Sequence, residues 1–175
     1  DRTEEEVRWT GELGESRLRV RVEGRTEFDG ATFFRVSYGP ADGPVRLGSL
    51  ALVVPLRHEA ARFFQTRPVR LGDGFPSPMT GALAAGEDGL LLSSAQLYGE
   101  SEWRPEIGTF FPYIWIGNDY AGLSYMADSD RGWIPSDAQP AITLRRGDGE
   151  TAWRFHIVSA PVRLTGERTF EVCFE

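Results

Sequence analysis

The stretch "AITLRRGDGETAWRFHIVS", residues 141–159, carries Ile142 and Leu144 before a Gly147-Asp148-Gly149 corner and Trp153, Phe155 and Ile157 after it. Apolar residues recur at every second position on both sides of the corner. That is the period of an extended strand, whose successive side chains point to opposite faces. Glycine and aspartate tolerate the left-handed backbone of a tight reversal. The stretch therefore predicts a β-hairpin with its two apolar faces aligned. His156, one step from Phe155 and Ile157, then points to the polar face or to the other layer.

The same rhythm runs through the chain. In "SRLRVRVE" (16–23), Leu18, Val20 and Val22 share one face and Arg17, Arg19 and Arg21 the other. Further strands are predicted at 31–38, 45–56, 89–97, 110–117, 122–128, 141–146, 151–159 and 168–175. They are separated by "EFDG", "GPADGP", "GNDYAG" and "RGDGET", the punctuation of turns. Only "RHEAARFFQT" (57–66) has the composition of a short helix, and it reads equally well as a corner. Residues 70–89 are rich in Gly and Pro and form the one long irregular connection. The expected fold is all-β: a two-layer antiparallel β-sandwich of about nine or more strands with at most one short helix.

Composition narrows the functional classes. A chain of 175 residues fits a single β-sandwich domain spanning residues 1–175, and at this size folding buries roughly 70% of the unfolded surface. The net charge of -7 argues against nucleic acid as a partner, because phosphate binding needs clustered cations. All 19 cationic residues are arginine, which removes lysine Schiff-base chemistry. One cysteine and two histidines cannot complete a four-ligand structural zinc site. No apolar run approaches the eighteen or so residues of a membrane helix. The chain opens at Asp1 without an initiator methionine and ends in a strand-like run, so it is expected to be a piece excised from a larger multi-domain chain. Neither a metal nor a cofactor is expected.

Candidate functional residues gather in "WIGNDYAGLSYMADSDRGW" (115–133). Asn118 and Asp119 read first as turn residues closing an Asx-turn. Asp128 and Asp130, in an extended chain, would project to one face with alpha carbons about 6–7 Å apart. That suits a sugar-hydrolysing acid pair or two oxygens of a calcium site, but solvated or turn-capping aspartates answer the pattern with less, and Arg131 stands ready to pair with them. In "FFPYIWIG" alternation sets Phe111, Tyr113 and Trp115 on one face, and one aromatic set is inter-sheet core. Tyr120 and Trp133, at the turn ends, are the rings available as a sugar platform. The carbohydrate-binding candidates are Asn118, Asp119, Tyr120, Asp128, Asp130 and Trp133. No catalytic set assembles: nucleotide-binding and nucleophile-elbow motifs are absent, Ser93, Ser94 and Ser101 have no histidine placed by motif, and His58 reads as a surface residue.

With these residues laid out, the chain resembles the N-terminal β-sandwich domain of large bacterial proteins related to glycoside hydrolase family 123. "TEFDG" (26–30) is similar to an E-[YF]-D-G turn of such domains. "PYIWIGNDYAGLSYMADSDRGW" (112–133) is similar to their W-x-G-[ND]-x-x-x-G-L-x-[WY]-x-x-[ED]-[SN]-D-x-x-W core, with Tyr125-Met126 as a departure from it. The resemblance implies an accessory sandwich supporting an adjacent (β/α)-barrel that hydrolyses N-acetylhexosaminyl or similar glycosides, in an extracellular or periplasmic parent. The implied partners are that catalytic domain of the same chain and an oligosaccharide, with neither nucleic acid nor membrane. An independent carbohydrate-binding module and a purely structural interdomain module remain alternatives.

Overall fold

The computed structural model describes residues 5–15, 17–67, 79–86, 88–99, 105–147 and 149–175. Half of the long connection at 70–89, together with Ser101 and Asp148, lies outside the described residues, and its described part is not wholly irregular but includes a strand at Met79–Ala82. The first half of the chain forms β1 (Glu6–Glu15), β2 (Leu18–Glu27), β3 (Thr32–Pro40), β4 (Val45–Leu47), β5 (Leu50–Leu56), β6 (Phe63–Thr66), β7 (Met79–Ala82) and β8 (Gly89–Ser93). A five-residue helix, α1 (Ser94–Tyr98), follows. The second half supplies β9 (Tyr113–Gly117), β10 (Gly122–Met126), β11 (Ile142–Gly147), β12 (Glu150–Val158), β13 (Val162–Leu164) and β14 (Arg168–Phe174).

An eight-stranded sheet in the order β1-β2-β3-β14-β10-β9-β6-β7 faces a four-stranded sheet, β5-β12-β11-β8, and β13 pairs with β4 beside them. The strand pairings are antiparallel, so the all-β sandwich expectation holds. The hairpin of β11 and β12 has the expected register, with Ile142 opposite Phe155 and Leu144 opposite Trp153. All four side chains are buried, while Arg154 and His156 lie on the other face and are less buried.

The layers meet through an aromatic cluster. Phe155 stands 4.4 Å from Tyr125 and 5.0 Å from Trp153, centroid to centroid, and 5.7 Å from Phe174. Tyr125 and Phe174 are paired residues of neighbouring strands in the large sheet; Phe155 and Trp153 belong to the small one. Tilted and edge-on ring pairs of this kind add about 0.5–1.5 kcal/mol each to the gain from burial.

Several elements differ from expectation. The run at 45–56 is two strands, broken at Gly48-Ser49, with β4 and β5 in different sheets. The run at 89–97 leaves the sheet after Ser93 because the Ser93 hydroxyl accepts from the Gln96 amide, an N-cap that starts α1. In the segment 57–66 the helix-like composition yields only a 3-10 turn at His58–Ala60 before β6. Strand β9 begins after Pro112, so its core-facing residues are Ile114 and Ile116, whereas Tyr113 and Trp115 take the outer face.

Replacing Phe155, fully buried at the meeting point of the sheets, with Ala is expected to lower unfolding free energy by about 3–5 kcal/mol. Phe155→Leu should cost distinctly less. Chemical denaturation of the two variants checks this ordering.

Candidate functional site

The turn between β9 and β10 is built by Asn118. Its Oδ1 accepts from the amides of Tyr120 and Ala121 at 2.9 and 3.0 Å, and its main-chain N–H donates to the Ala121 carbonyl. Its Nδ2 donates to the Glu59 carbonyl at 2.9 Å, tying the turn to the corner before β6. Asp119 Oδ2 accepts from Arg62 Nη1 at 3.1 Å, both side chains being well exposed. Tyr120, at the apex, is 94% exposed. The outcome is a rigid turn presenting one free aromatic ring.

Trp115 explains the glycines around that turn. A Cβ on Gly117 or Gly122 would lie 2.2 Å from atoms of the Trp115 ring, so the indole covers both positions on the outer face. The segment "WIGNDYAG" is thus a packing unit: a ring, two glycines that make room for it, and an asparagine that closes the loop.

Beyond the other end of β10 the chain turns instead of continuing extended. Trp133 N–H donates to the Asp130 carbonyl at 2.9 Å. Gly132, at φ +86, packs so closely on β14 that a Cβ would sit 2.1 Å from the Thr169 carbonyl oxygen. The Tyr38 hydroxyl donates to the Gly132 carbonyl at 2.6 Å. This corner drives Trp133 inward to 4% exposure, edge-on to Phe110 at 5.3 Å and against Phe170 at 6.3 Å. Trp133 therefore offers no ring face to a sugar on this domain. Asp128 and Asp130 are exposed, and the strand spacing invoked for them does not apply because they lie on this corner. Among the described residues no ion pair joins Arg131 to either aspartate. Asp130 also acts on the buried Tyr98 phenol, whose pKa is raised to about 12, first by burial and then by this carboxylate.

The six candidates thus divide into two groups. Asn118, Asp119 and Tyr120 sit at one end of β10 and Asp128, Asp130 and Trp133 beyond the other, roughly 20 Å apart by the rise of an extended chain. A groove of about 580 Å³ lies at the turn end, lined by His58, Arg62, Phe63, Leu83, Asp88 and Arg146 among others. Arg146 donates to the Ala84 and Ala61 carbonyls there. At the corner end, Asp128 borders two grooves of about 830 and 570 Å³ that share Arg35 and Glu171. The larger runs over the outer face of the eight-stranded sheet, where Arg35 pairs with Glu171 and the Arg25 guanidinium covers the Phe33 ring at 4.5 Å. That ring is already occupied by a side chain of its own sheet.

Neither histidine stands free. His58 Nδ1 lies 3.0 Å from the buried Thr151 hydroxyl, so it is a half-buried tether of the corner and not the surface residue expected. His156 contacts Gln139 and Thr143, and burial, followed by the charge of Arg154, lowers its pKa.

The family model described as the third domain of glycoside hydrolase 123 matches residues 1–132. The chain belongs to the glycoside hydrolase 123 family. The matching model is that of a third domain, where the resemblance implied an N-terminal one. No curated protein matches the chain. In this glycoside hydrolase 123 domain the motif of residues 112–133 is largely spent on architecture. Its asparagine closes a turn, its glycines seat a tryptophan, and its final tryptophan fills the core. Sequence spacing had no means of showing the Arg62–Asp119 and Asn118–Glu59 links, which join segments 57 and 59 residues apart.

Two outcomes follow. Asn118→Ala removes the hydrogen bonds that close and tether the turn and should destabilise by about 1–2 kcal/mol, whereas Asp119→Ala breaks only an exposed ion pair and should cost under about 1 kcal/mol; thermal melts distinguish them. For His156, a folded pKa below the unfolded value near 6.5 means that the unfolded chain binds more protons. Stability is then complete above about pH 6.5 and is lost as pH falls from there toward the folded pKa. His156→Gln should flatten that part of the stability profile.

Proposed function

We propose that this chain is a non-catalytic β-sandwich accessory domain of a multi-domain glycoside hydrolase. In this reading it supports an adjacent catalytic barrel and lines that barrel's sugar cleft with the Asn118–Tyr120 turn. The observation that carries it is how the family motif is used. The residues with the chemistry of a sugar site are divided between two ends of β10, and the Asn118 and Asp119 side chains at the turn are engaged in holding it. A retaining or inverting glycosidase needs two carboxyl groups about 5–9.5 Å apart across a cleft, whereas Asp119 is engaged with the Arg62 guanidinium at 3.1 Å and Asp128 and Asp130 lie beyond the far end of the strand. What the turn does present is Tyr120, a ring with an apolar face and a polar tip.

The test has two arms. The isolated domain should fail to hydrolyse an aryl N-acetylhexosaminide, and a rate abolished by Asp128→Ala would overturn the accessory reading. In the parent enzyme, Tyr120→Ala should raise KM for an oligosaccharide several-fold with kcat little changed. Because Tyr120 is almost wholly exposed, its removal should leave stability within about 0.5 kcal/mol.

The exposed Tyr120 ring, on a turn tied through Asp119 to Arg62 of the groove wall, also favours a second reading, an independent carbohydrate-binding module. Calorimetric titration of the isolated domain with a glycan panel separates the two: saturable binding weakened by Tyr120→Ala supports the module, and its absence leaves the cleft role in the parent.

A further inference from the structure

Strand β1 is an edge strand of ten residues with two unlike faces. Glu6, Arg8 and Glu12 take one face, where Glu6 pairs with Arg8 and Arg25, and Glu12 with Arg19. Val7, Trp9 and Leu13 take the other, and they are 41%, 40% and 71% exposed. The register places Leu13 opposite Val20 and Trp9 opposite Gly24, so this is the face on which Val20 and Val22 pack against the core. Eight strands in one layer face four in the other, and at β1 the apolar face is left open.

Trp9 on this face is already held. A Cβ on Gly24 would lie 2.1 Å from the indole, and the ring meets Phe34 edge-on at 5.4 Å. A ring fixed before binding loses little freedom on being covered, the property of aromatic anchors at interfaces. A long edge strand with an apolar face also invites aggregation unless something covers it.

We propose that the Val7–Trp9–Leu13 face of β1 docks on a neighbouring domain of the same parent chain, with Trp9 as anchor. The inference rests on the accessory-domain reading and names the surface through which it acts. Two observations choose this occupant. The family model that includes β1 is that of a third domain, so its parents carry other domains tethered nearby. The size of the patch decides against a separate molecule: a stable complex between free proteins engages about 20–30 residues a side, far beyond three exposed apolar side chains. A tether supplies an effective concentration in the millimolar range and makes a small patch sufficient. The partner surface is apolar, with a recess for the indole and without charge opposite Leu13.

Calorimetry of the parent enzyme and the isolated domain, each with and without Leu13→Glu, tests this. Leu13 is largely exposed, so the isolated domain should melt unchanged. In the parent the transition of this domain should fall by about 2–4 °C or more, with faster protease cleavage between domains. Leu13→Ala should give a smaller shift. Equal melting of wild-type and Leu13→Glu parents would overturn the proposal. So would a concentration-dependent dimer of the isolated domain that Leu13→Glu abolishes, which would assign the face to a second copy. The hydrolysis assay on the isolated domain tests the accessory reading separately, so either can fail alone.

Discussion

The contact of Phe155 and Trp153 with Tyr125 and Phe174 joins the two sheets, and much of the remaining geometry follows from it. Because Tyr125 is paired with Phe174 across β10 and β14, the cluster fixes which strands of the large sheet lie beneath β12. That alignment sends β10's two ends to opposite sides of the sandwich. One side receives the turn with Tyr120, the other the corner with Asp128. The separation of the candidate residues is thus a consequence of core packing, since a strand pinned to the core by Tyr125 cannot fold its ends together.

A second device recurs in the large sheet. Trp9 lies over Gly24, Phe64 over Gly81, and Trp115 over Gly117 and Gly122. In each case a residue without a Cβ leaves a shallow seat on the sheet and an aromatic ring fills it, recovering apolar contact that glycine alone would forfeit. The seats lie on both faces of the sheet: Trp115 covers outer glycines, while Trp9 covers one on the core side at the open edge. This gives an aromatic-rich chain a way to hold its rings rigid without burying all of them. Glycines inside strands weaken a sheet by propensity, but Gly24, Gly81, Gly117 and Gly122 each record where a ring lies.

The fold was legible in the sequence wherever burial has a short period. The hairpin at 141–159, the turn at "EFDG" with Gly30 at φ +97, and the Asx-turn at Asn118 depend on neighbours a few residues apart. The strands missed, β1, β6, β7 and β13, were those without that signal: β7 and β13 are only four and three residues long. Strand β1 mixes charge and glycine through "EVRWTGELGE", and β6 lies within the segment 57–66 of helical composition. The division of 45–56 between two sheets depends on β13 and β12, about a hundred residues later. The Ser93 cap was a readable signal, a serine directly before a short helix-forming run, that the apolar run ahead of it concealed.

For the candidate site the division is sharper. The sequence by itself determined the all-β class, the turn at Asn118 and the family to which the motif belongs, because alternation, turn chemistry and motif spacing are local. Only the tertiary structure decided that Trp133 is core and Tyr120 free, and that Asp119 answers to Arg62. It also decided that Asp128 stands at the far end of the strand from that pair. Whether a ring is buried or presented depends on what the opposite sheet and a distant corner bring against it, and that contact is made between segments far apart in the chain.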